Sequence, residues 1–327
     1  MSFIIICNIS CSSNCFDCDL IQSILNREEL SRGEKNVESI RARAFLESVE
    51  RGSFKAAADA LGYTPSAVSQ LVAALEKDLK LTLLIRSKKG VTITPEGRKL
   101  IPIVRSFLAR EKEMYELAAE MQGLSVGDLT IAAYPSVATT WLPELVRNFQ
   151  RDYPSIQFNI MEGVRQEIFR HLDDHKADMG FLAYAEPMEY EWIPLAEEDM
   201  IAVVPENHPL AGADCYPVSR LEKDPFIMTS WGQDFEILNI FKKNNVSPQV
   251  RYTTYDTPAS LAMVRMGLGV SICNELAAQY WNEHLVKLPL DPPESITFGI
   301  AYTSEEHMTA ASKKFLDYAV KYLTQAE

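Results

Sequence analysis

The chain has 327 residues, 47% of them apolar, which is enough for two or three domains with substantial cores. No run of apolar residues is long enough to cross a membrane, and no membrane partner is expected. A net charge of -13 argues against a uniformly basic nucleic-acid binder, yet residues 37–100 carry 11 basic against 7 acidic side chains while residues 101–327 carry 18 against 33. Positive charge is therefore gathered in one segment, as a local nucleic-acid contact requires.

Residues 1–36 are read as an atypical, disordered N-terminal extension. Phe3-Ile4-Ile5-Ile6 is too short for a secretory signal and lacks its basic start, so the protein is expected in the cytoplasm. Four of the six cysteines fall here, at Cys7, Cys11, Cys15 and Cys18. The last three have the Cys-x3-Cys-x2-Cys spacing that resembles a radical-SAM iron–sulfur loop, and four thiolates could hold zinc. No barrel that would use such a cluster follows, so neither metal nor cofactor is expected. A metal- or redox-responsive regulator sensing through these cysteines is the alternative. Cys215 and Cys273 stand alone and read as ordinary buried thiols.

The stretch from Gly52 to Glu76 reads as two short helices and a tight turn. Ser53 is a good N-cap, and Phe54, Ala57, Ala58 and Leu61 recur at helical spacing. Gly62 ends that helix, and Thr64 before Pro65 starts the next, because proline at the first helical position wastes no backbone donor. Val68, Leu71, Leu75 and Leu79 form the expected inward stripe of the second helix. Its opposite face near the start holds Pro65, Ser66, Ser69, Gln70 and Ala73, small or polar residues that allow approach to the major groove. Leu83 to Gly97 then forms a basic hairpin around Lys89-Gly90, a wing that places Arg86, Lys88 and Lys89 beside the helix to meet phosphate. An Ala-rich helix pair with a solvated turn is the bland alternative.

Phe45 through Gly97 resembles the N-terminal domain of the LysR-type transcriptional regulators. The shared pattern is Phe45, Gly52-Ser53-Phe54, Ala57-Ala58, Leu61, Ser69, Leu75-Glu76, Leu83, Arg86 and Thr94 with Gly97. Pro65, Gln70, Lys80 and Ile85 depart from it, which bears on the operator sequence rather than the fold. The resemblance implies a winged helix-turn-helix at 37–97 that binds double-stranded DNA, with Ser53, Pro65, Ser66, Ser69, Gln70, Arg86, Lys88 and Lys89 as DNA-contact candidates.

Pro95 can open a helix that runs to about Gln122. Leu100, Val104, Phe107, Glu111, Met114, Ala118 and Met121 alternate spacings of four and three, the seam of a coiled coil. Residues 98–123 are thus expected to link the domains and dimerise, giving a homodimer or homotetramer, as the resemblance also implies.

From Gly127 strands alternate with helices: strands at 128–134, 156–161 and 178–184, helices at 136–153 and 166–174, then a second similar run with strands at 199–205 and 226–229 and a helix at 256–267. A parallel sheet with crossover helices in two lobes follows, with a cleft between them. Pro143, Phe149, Tyr153-Pro154, Asp178-Met179-Gly180-Phe181, Asn207-His208-Pro209-Leu210-Ala211 and Gly267-Leu268-Gly269-Val270 resemble the LysR effector domain, which is similar to periplasmic binding proteins. The fold class is therefore α+β and α/β: a winged helix-turn-helix, a long linker helix and a two-lobed effector domain at 124–327. Lobe one is expected at about 124–184 and 291–327, and lobe two at about 185–290.

Ligands of such folds sit at the carboxyl ends of strands, where helix starts present free backbone donors. The candidate effector-binding residues are Ser136 and Val137, Arg165, Thr229, Ser230 and Trp231, and Asp256 with Thr257. Ser136 and the following amides suit a carboxylate, though Ser136 could simply cap its helix. Arg165 would select an anion if it points into the cleft, and Trp231 would add an apolar wall. The donor excess suits a small organic anion. No enzyme is expected: there is no Gly-x-Ser-x-Gly elbow and no phosphate loop, and His171 and His175, one helical turn apart, lack a further metal ligand nearby.

Overall fold

The computed structural model describes residues 39–87, 90–122 and 126–325, in two compact units that divide between Val104 and Arg105. The four N-terminal cysteines and the wing lysines Lys88 and Lys89 lie outside the described residues.

In the first unit α1 (39–51), α2 (Phe54–Leu61) and α3 (Pro65–Leu79) precede the antiparallel pair β1 (Leu84–Ser87) and β2 (Gly90–Ile93), and α4 (Pro95–Met121) begins here. The Ser53 hydroxyl accepts from the Ala56 amide and the Thr64 hydroxyl from the Ala67 amide, so each side chain satisfies a donor left open at a helix start. Gly62 closes α2 with a φ of 71°, where a side chain would be strained. Phe45, Ala57, Ala58, Val68, Val72, Leu83 and Leu84 make the core. Val68, Leu71 and Leu75 of the expected stripe pack on this core and Val72 joins them, whereas Leu79, in the last turn before the left-handed Lys80, is 43% exposed.

Four polar or small residues fix the wing. The Glu76 carboxylate accepts from the Leu83 and Leu84 amides at 2.7 and 3.0 Å. The Thr94 hydroxyl donates to the Thr82 and Leu83 carbonyls. A Cβ on Gly97 would lie 2.5 Å from the Leu83 carbonyl oxygen, and Gly90, at φ 126°, passes against the Gly52 carbonyl that receives the Val91 amide at 2.8 Å.

The second unit holds the rest of α4 and a mixed α/β body. Its elements are β3 (Gly127–Ala133), α5 (Pro135–Thr139), α6 (Trp141–Asp152), β4 (Ile156–Glu162), α7 (Arg165–Asp173), β5 (Met179–Ala183), β6 (Glu191–Pro205), β7 (Tyr216–Pro217), β8 (Pro225–Met228), α8 (Phe235–Lys243), β9 (Gln249–Thr253), α9 (Thr257–Arg265), β10 (Ser271–Asn274), α10 (Glu275–Ala278), β11 (Leu285–Tyr302) and α11 (Ala310–Thr324). The main sheet runs β10-β6-β11-β5-β3-β4, with β7 beside β11. The expected parallel pairing holds for β3 with β4 and β5, but β11 is antiparallel to both β5 and β6, and β10 is antiparallel to β6, so the sheet is mixed. The reason is that β6 and β11 are long strands that pass from one lobe into the other. One core gathers Leu129, Phe149, Phe181, Phe298 and Phe315, and the other Val204, Tyr216, Phe226, Ile240 and Ile272.

The single helix expected over 136–153 is two. Pro143 has no amide to donate to Thr139 and its ring would crowd that carbonyl, so the chain breaks at Thr140 and restarts with Pro143 in the first turn of α6. Along α4, Leu100 and Val104 pack on the first core, while Phe107, Met114 and Met121 of the expected seam are exposed together with Ile103 and Leu117. The later half of α4 docks on β3: the Lys112 ammonium donates to the Asp128 carbonyl, and Gly127 leaves room for the Glu116 carboxylate.

Candidate functional site

At the amino end of α3, Pro65, Ser66 and Gln70 are exposed and Ser69 is half-buried. Ser53 is occupied as the cap of α2. Arg86, expected on phosphate, already has partners within the chain. Its Nη1 donates to Ser69 Oγ at 2.8 Å, its Nη2 lies 3.7 Å from Glu76 Oε2, and its guanidinium sits 5.2 Å from the Phe54 ring centroid. The wing strand is thus tied to the helix that carries the polar face, and the Ser69 hydroxyl, accepting from Arg86, keeps its proton to donate outward.

In the second unit a cavity of about 280 Å³ lies between the lobes. One wall comes from the carboxyl ends of β3 and β4 with the starts of α5 and α7, the other from the starts of α8, α9 and α10. Most of those helix starts are already capped. Asp234 accepts from the Ile237 amide, Asp256 from the Ala259 amide and Asn274 from the Ala277 amide, and at α7 Glu167 accepts from the Val164 amide. At α5 no side chain caps the helix. Ser136 is there, 8% exposed, facing the cavity, and its hydroxyl has no hydrogen-bond partner among the described residues.

Of the other sequence candidates, Arg165, Thr229, Ser230, Asp256 and Thr257 line this cavity. Val137 and Trp231 do not. Val137 is fully buried in the first-lobe core, and Trp231 is 66% exposed because the turn Ser230-Trp231 has φ of 52° and 51°, which swings the indole out of the wall. Tyr134, Phe235, Tyr255, Tyr280 and Trp281 supply the aromatic surface instead. Arg165 is partly engaged within the wall, through Nη2, while its buried Nε has no partner among the described residues. The residue is buried, donates to the Ala183 carbonyl at 2.5 Å, lies 3.4 Å from Glu236 Oε1, and packs between the Phe169 and Phe235 rings. Thr229 and Ser230 both donate to Asp234.

Sequence reasoning missed the groups that cross the cleft. The Tyr134 hydroxyl donates to Glu236 Oε1 at 2.9 Å and the Tyr255 hydroxyl to Glu167 Oε2 at 2.6 Å. Burial, then the neighbouring Asp234, pushes the Glu236 carboxyl up, with Arg165 opposing. The Glu167 bond pushes the Tyr255 phenol up to about 12. Cys273, at the cavity wall, is pushed up to about 12 by burial and is a neutral thiol. Asp234 could have been read as a helix cap before Phe235. Nothing local marks Glu236, whose partners are 102 and 71 positions away.

Two family models match the chain: the LysR substrate binding domain over residues 122–324, and the lysR family of bacterial regulatory helix-turn-helix proteins over residues 41–98. An uncharacterised HTH-type transcriptional regulator of Bacillus subtilis, YvbU, is 29% identical over 281 residues, which is 85% of this chain and 96% of that one. Among solved structures, full-length OxyR C199D from Pseudomonas aeruginosa superposes with a TM-score of 0.66 at 20% identity, over 89% of this chain and 98% of that one. The effector binding domain of QuiR in complex with shikimate superposes with a TM-score of 0.57 at 24% identity, over 62% and 99%.

Proposed function

The chain belongs to the LysR family of transcriptional regulators, which are not enzymes, and on that premise we propose that its dimer binds promoter DNA and responds to a small organic acid held in the cavity between the lobes. In this reading residues 37–97 bind DNA, 98–123 dimerise and 124–327 sense the effector, in the cytoplasm. Pro65, Ser66, Ser69 and Gln70 enter the major groove, with Lys88 and Lys89 on phosphate, Arg86 at the junction of wing and helix, and Ser53 holding α2 in place. The exposed Ile103, Phe107, Met114 and Met121 on α4 support pairing of two linker helices, as a dimer or within a tetramer.

The observation that carries the effector half is Ser136: in a residue 8% exposed, its hydroxyl faces the cavity with no partner among the described residues, at a helix start that no side chain caps. In the same wall the buried Nε of Arg165 has no partner among the described residues, a costly state that a ligand oxygen would relieve. The shikimate bound by QuiR is itself a hydroxylated acid, in a domain of the same fold. Glu236 offsets the charge of Arg165 through Nη2, so what Arg165 adds to the anionic reading is a donor rather than a net charge.

The test combines two measurements on the full chain. A gel-shift titration on the DNA upstream of its own gene should show dimer binding that Gln70→Ala redirects among site variants. A thermal-shift screen of small carboxylates should find at least one that raises the melting temperature with ligand concentration, an effect Ser136→Ala should weaken about tenfold in affinity. Stabilisation by neutral sugars alone, or a carboxylate response indifferent to Ser136→Ala, rejects the effector reading.

A further inference from the structure

The charges that line the cavity say more about the ligand than Ser136 does alone. Among the described lining residues are four carboxyl side chains, Glu162, Asp234, Glu236 and Asp256, and one guanidinium, Arg165. Arg165 is 8% exposed; its contacts with the Ala183 carbonyl and Glu236 both run through Nη2, which offsets its charge, while its buried Nε has no partner among the described residues and can donate to a ligand carboxylate. Glu236 and Asp234 also have internal donors, from Tyr134, Thr229 and Ser230. The other two acids retain open valence. Asp256 uses one carboxylate oxygen to cap α9 at 2.9 Å, and the second has no partner among the described residues. Glu162, at the exposed end of β4, has none for either oxygen. Both line the cavity together with Tyr255, which adjoins Asp256 in the chain and donates to Glu167 of α7, the helix that follows Glu162.

A plain anion would enter a wall that sets four carboxyl groups against one guanidinium, whose charge Glu236 offsets at 3.4 Å. Resting on the cleft reading above, we propose that the effector is a zwitterion of the amino-acid class, whose carboxylate meets Ser136 and whose ammonium lies against Asp256 and Glu162 beside the Tyr255 ring. An ammonium there supplies donors to the two acids with open acceptors, and a ring face beside a cation adds attraction. Ser136 gives the independent sign that something binds: the residue is 8% exposed and its hydroxyl faces the same cavity without a partner among the described residues.

The experiment uses the full chain and matched probes: the free amino acids, their N-acetyl derivatives, which keep the carboxylate and lose the cation, and the corresponding decarboxylated amines. Thermal shift and calorimetric titration are run on the native chain and on the Glu162→Gln/Asp256→Asn variant, in which asparagine still caps α9 and only charge is removed. At least one amino acid should raise the melting temperature, neither of its two derivatives should, and the double variant should bind it roughly tenfold more weakly or worse. A carboxylate without an amine that binds as well as its amino counterpart, in a manner dependent on Ser136, removes this inference and leaves the cleft reading standing. An affinity unchanged in the double variant also removes it. If no carboxylate of either kind shifts the protein, both fall.

Discussion

Arg86→Ala should reduce discrimination between DNA sites more than it reduces attraction to DNA. In the free protein the guanidinium donates to Ser69 Oγ at 2.8 Å, lies over the Phe54 ring at 5.2 Å, and is 3.7 Å from Glu76 with nearly half its surface in water. The hydrogen bond from a charged donor contributes about 1 kcal/mol and the ring contact about 0.5 kcal/mol, while the half-exposed ion pair contributes little. A loss of about 1–2 kcal/mol would lower the melting temperature of a domain of this size by several degrees without unfolding it. The Ser69 hydroxyl would lose the partner that aims its proton. If Arg86 acts in this way, fluorescence-anisotropy titrations over about a fourfold range of salt should give a salt slope like that of the native chain. The ratio of promoter to unrelated DNA affinity should fall by roughly tenfold, the worth of one good groove contact. Ser69→Ala should cost about as much, and the double variant little more than either alone. A slope shallower by about 0.9 with an unchanged ratio would refute the argument, since that is the mark of one lost phosphate contact.

Four further outcomes follow. Gly90→Ala should destabilise the first unit by about 2–3 kcal/mol or more, because the residue sits at φ 126° with its Cβ direction closed by the Gly52 carbonyl; a melt followed by circular dichroism would show it. Phe107→Glu, on the exposed face of α4, should shift the protein toward monomer in analytical ultracentrifugation, and an unchanged sedimentation coefficient would count against pairing through this helix. Burial holds Asp178 above the usual carboxylate range, against Lys112 and the Thr130 amide, so its contribution is favourable below about pH 4 and is lost as pH rises through the folded value; Asp178→Asn should therefore gain stability relative to the native chain between pH 4 and 7 in urea titrations. Cys273, 5% exposed and protonated, should resist a thiol reagent until the second unit unfolds, and rapid labelling at neutral pH would contradict that placement.

What could be read from the sequence was local or periodic. Ser53, Gly62, Thr64 and Pro65 announce the boundaries of α2 and α3 because capping uses neighbours three or four residues away. The stripe of α3 was legible through Val68, Leu71 and Leu75, which all pack on the core; Val72 joins them, and only Leu79, in the last turn, stands exposed. The break at Thr140 was in principle visible in Pro143. The cleft was harder. Ser136 and Thr257 lie at strand-to-helix junctions that a topology argument can find, whereas the Arg165–Glu236–Tyr134 cluster joins residues from three elements and both lobes. Trp231 was misplaced because two consecutive left-handed residues reverse the chain there, and neither Ser230 nor Trp231 is a residue type that signals such a turn.

The continuity of β6 and β11 constrains how the second unit can move. Each strand is shared by both lobes, and their ladder runs from Leu285↔Pro205 to Tyr302↔Glu191 with one wide irregularity, where Leu290 and Asp291 leave β6 to pair with Tyr216 and Pro217. A two-stranded ribbon resists stretching and sliding but yields to bending where its rungs are missing. The lobes therefore share a spine, as the covers of a book do, and their motion is confined to turning about it rather than drifting apart. Small changes near the spine become larger ones at the lobe edges. A molecule seated close to Met200 and Ile296, deep in the cleft, would act on the short arm of this lever and need only a slight wedge to swing the outer surfaces far.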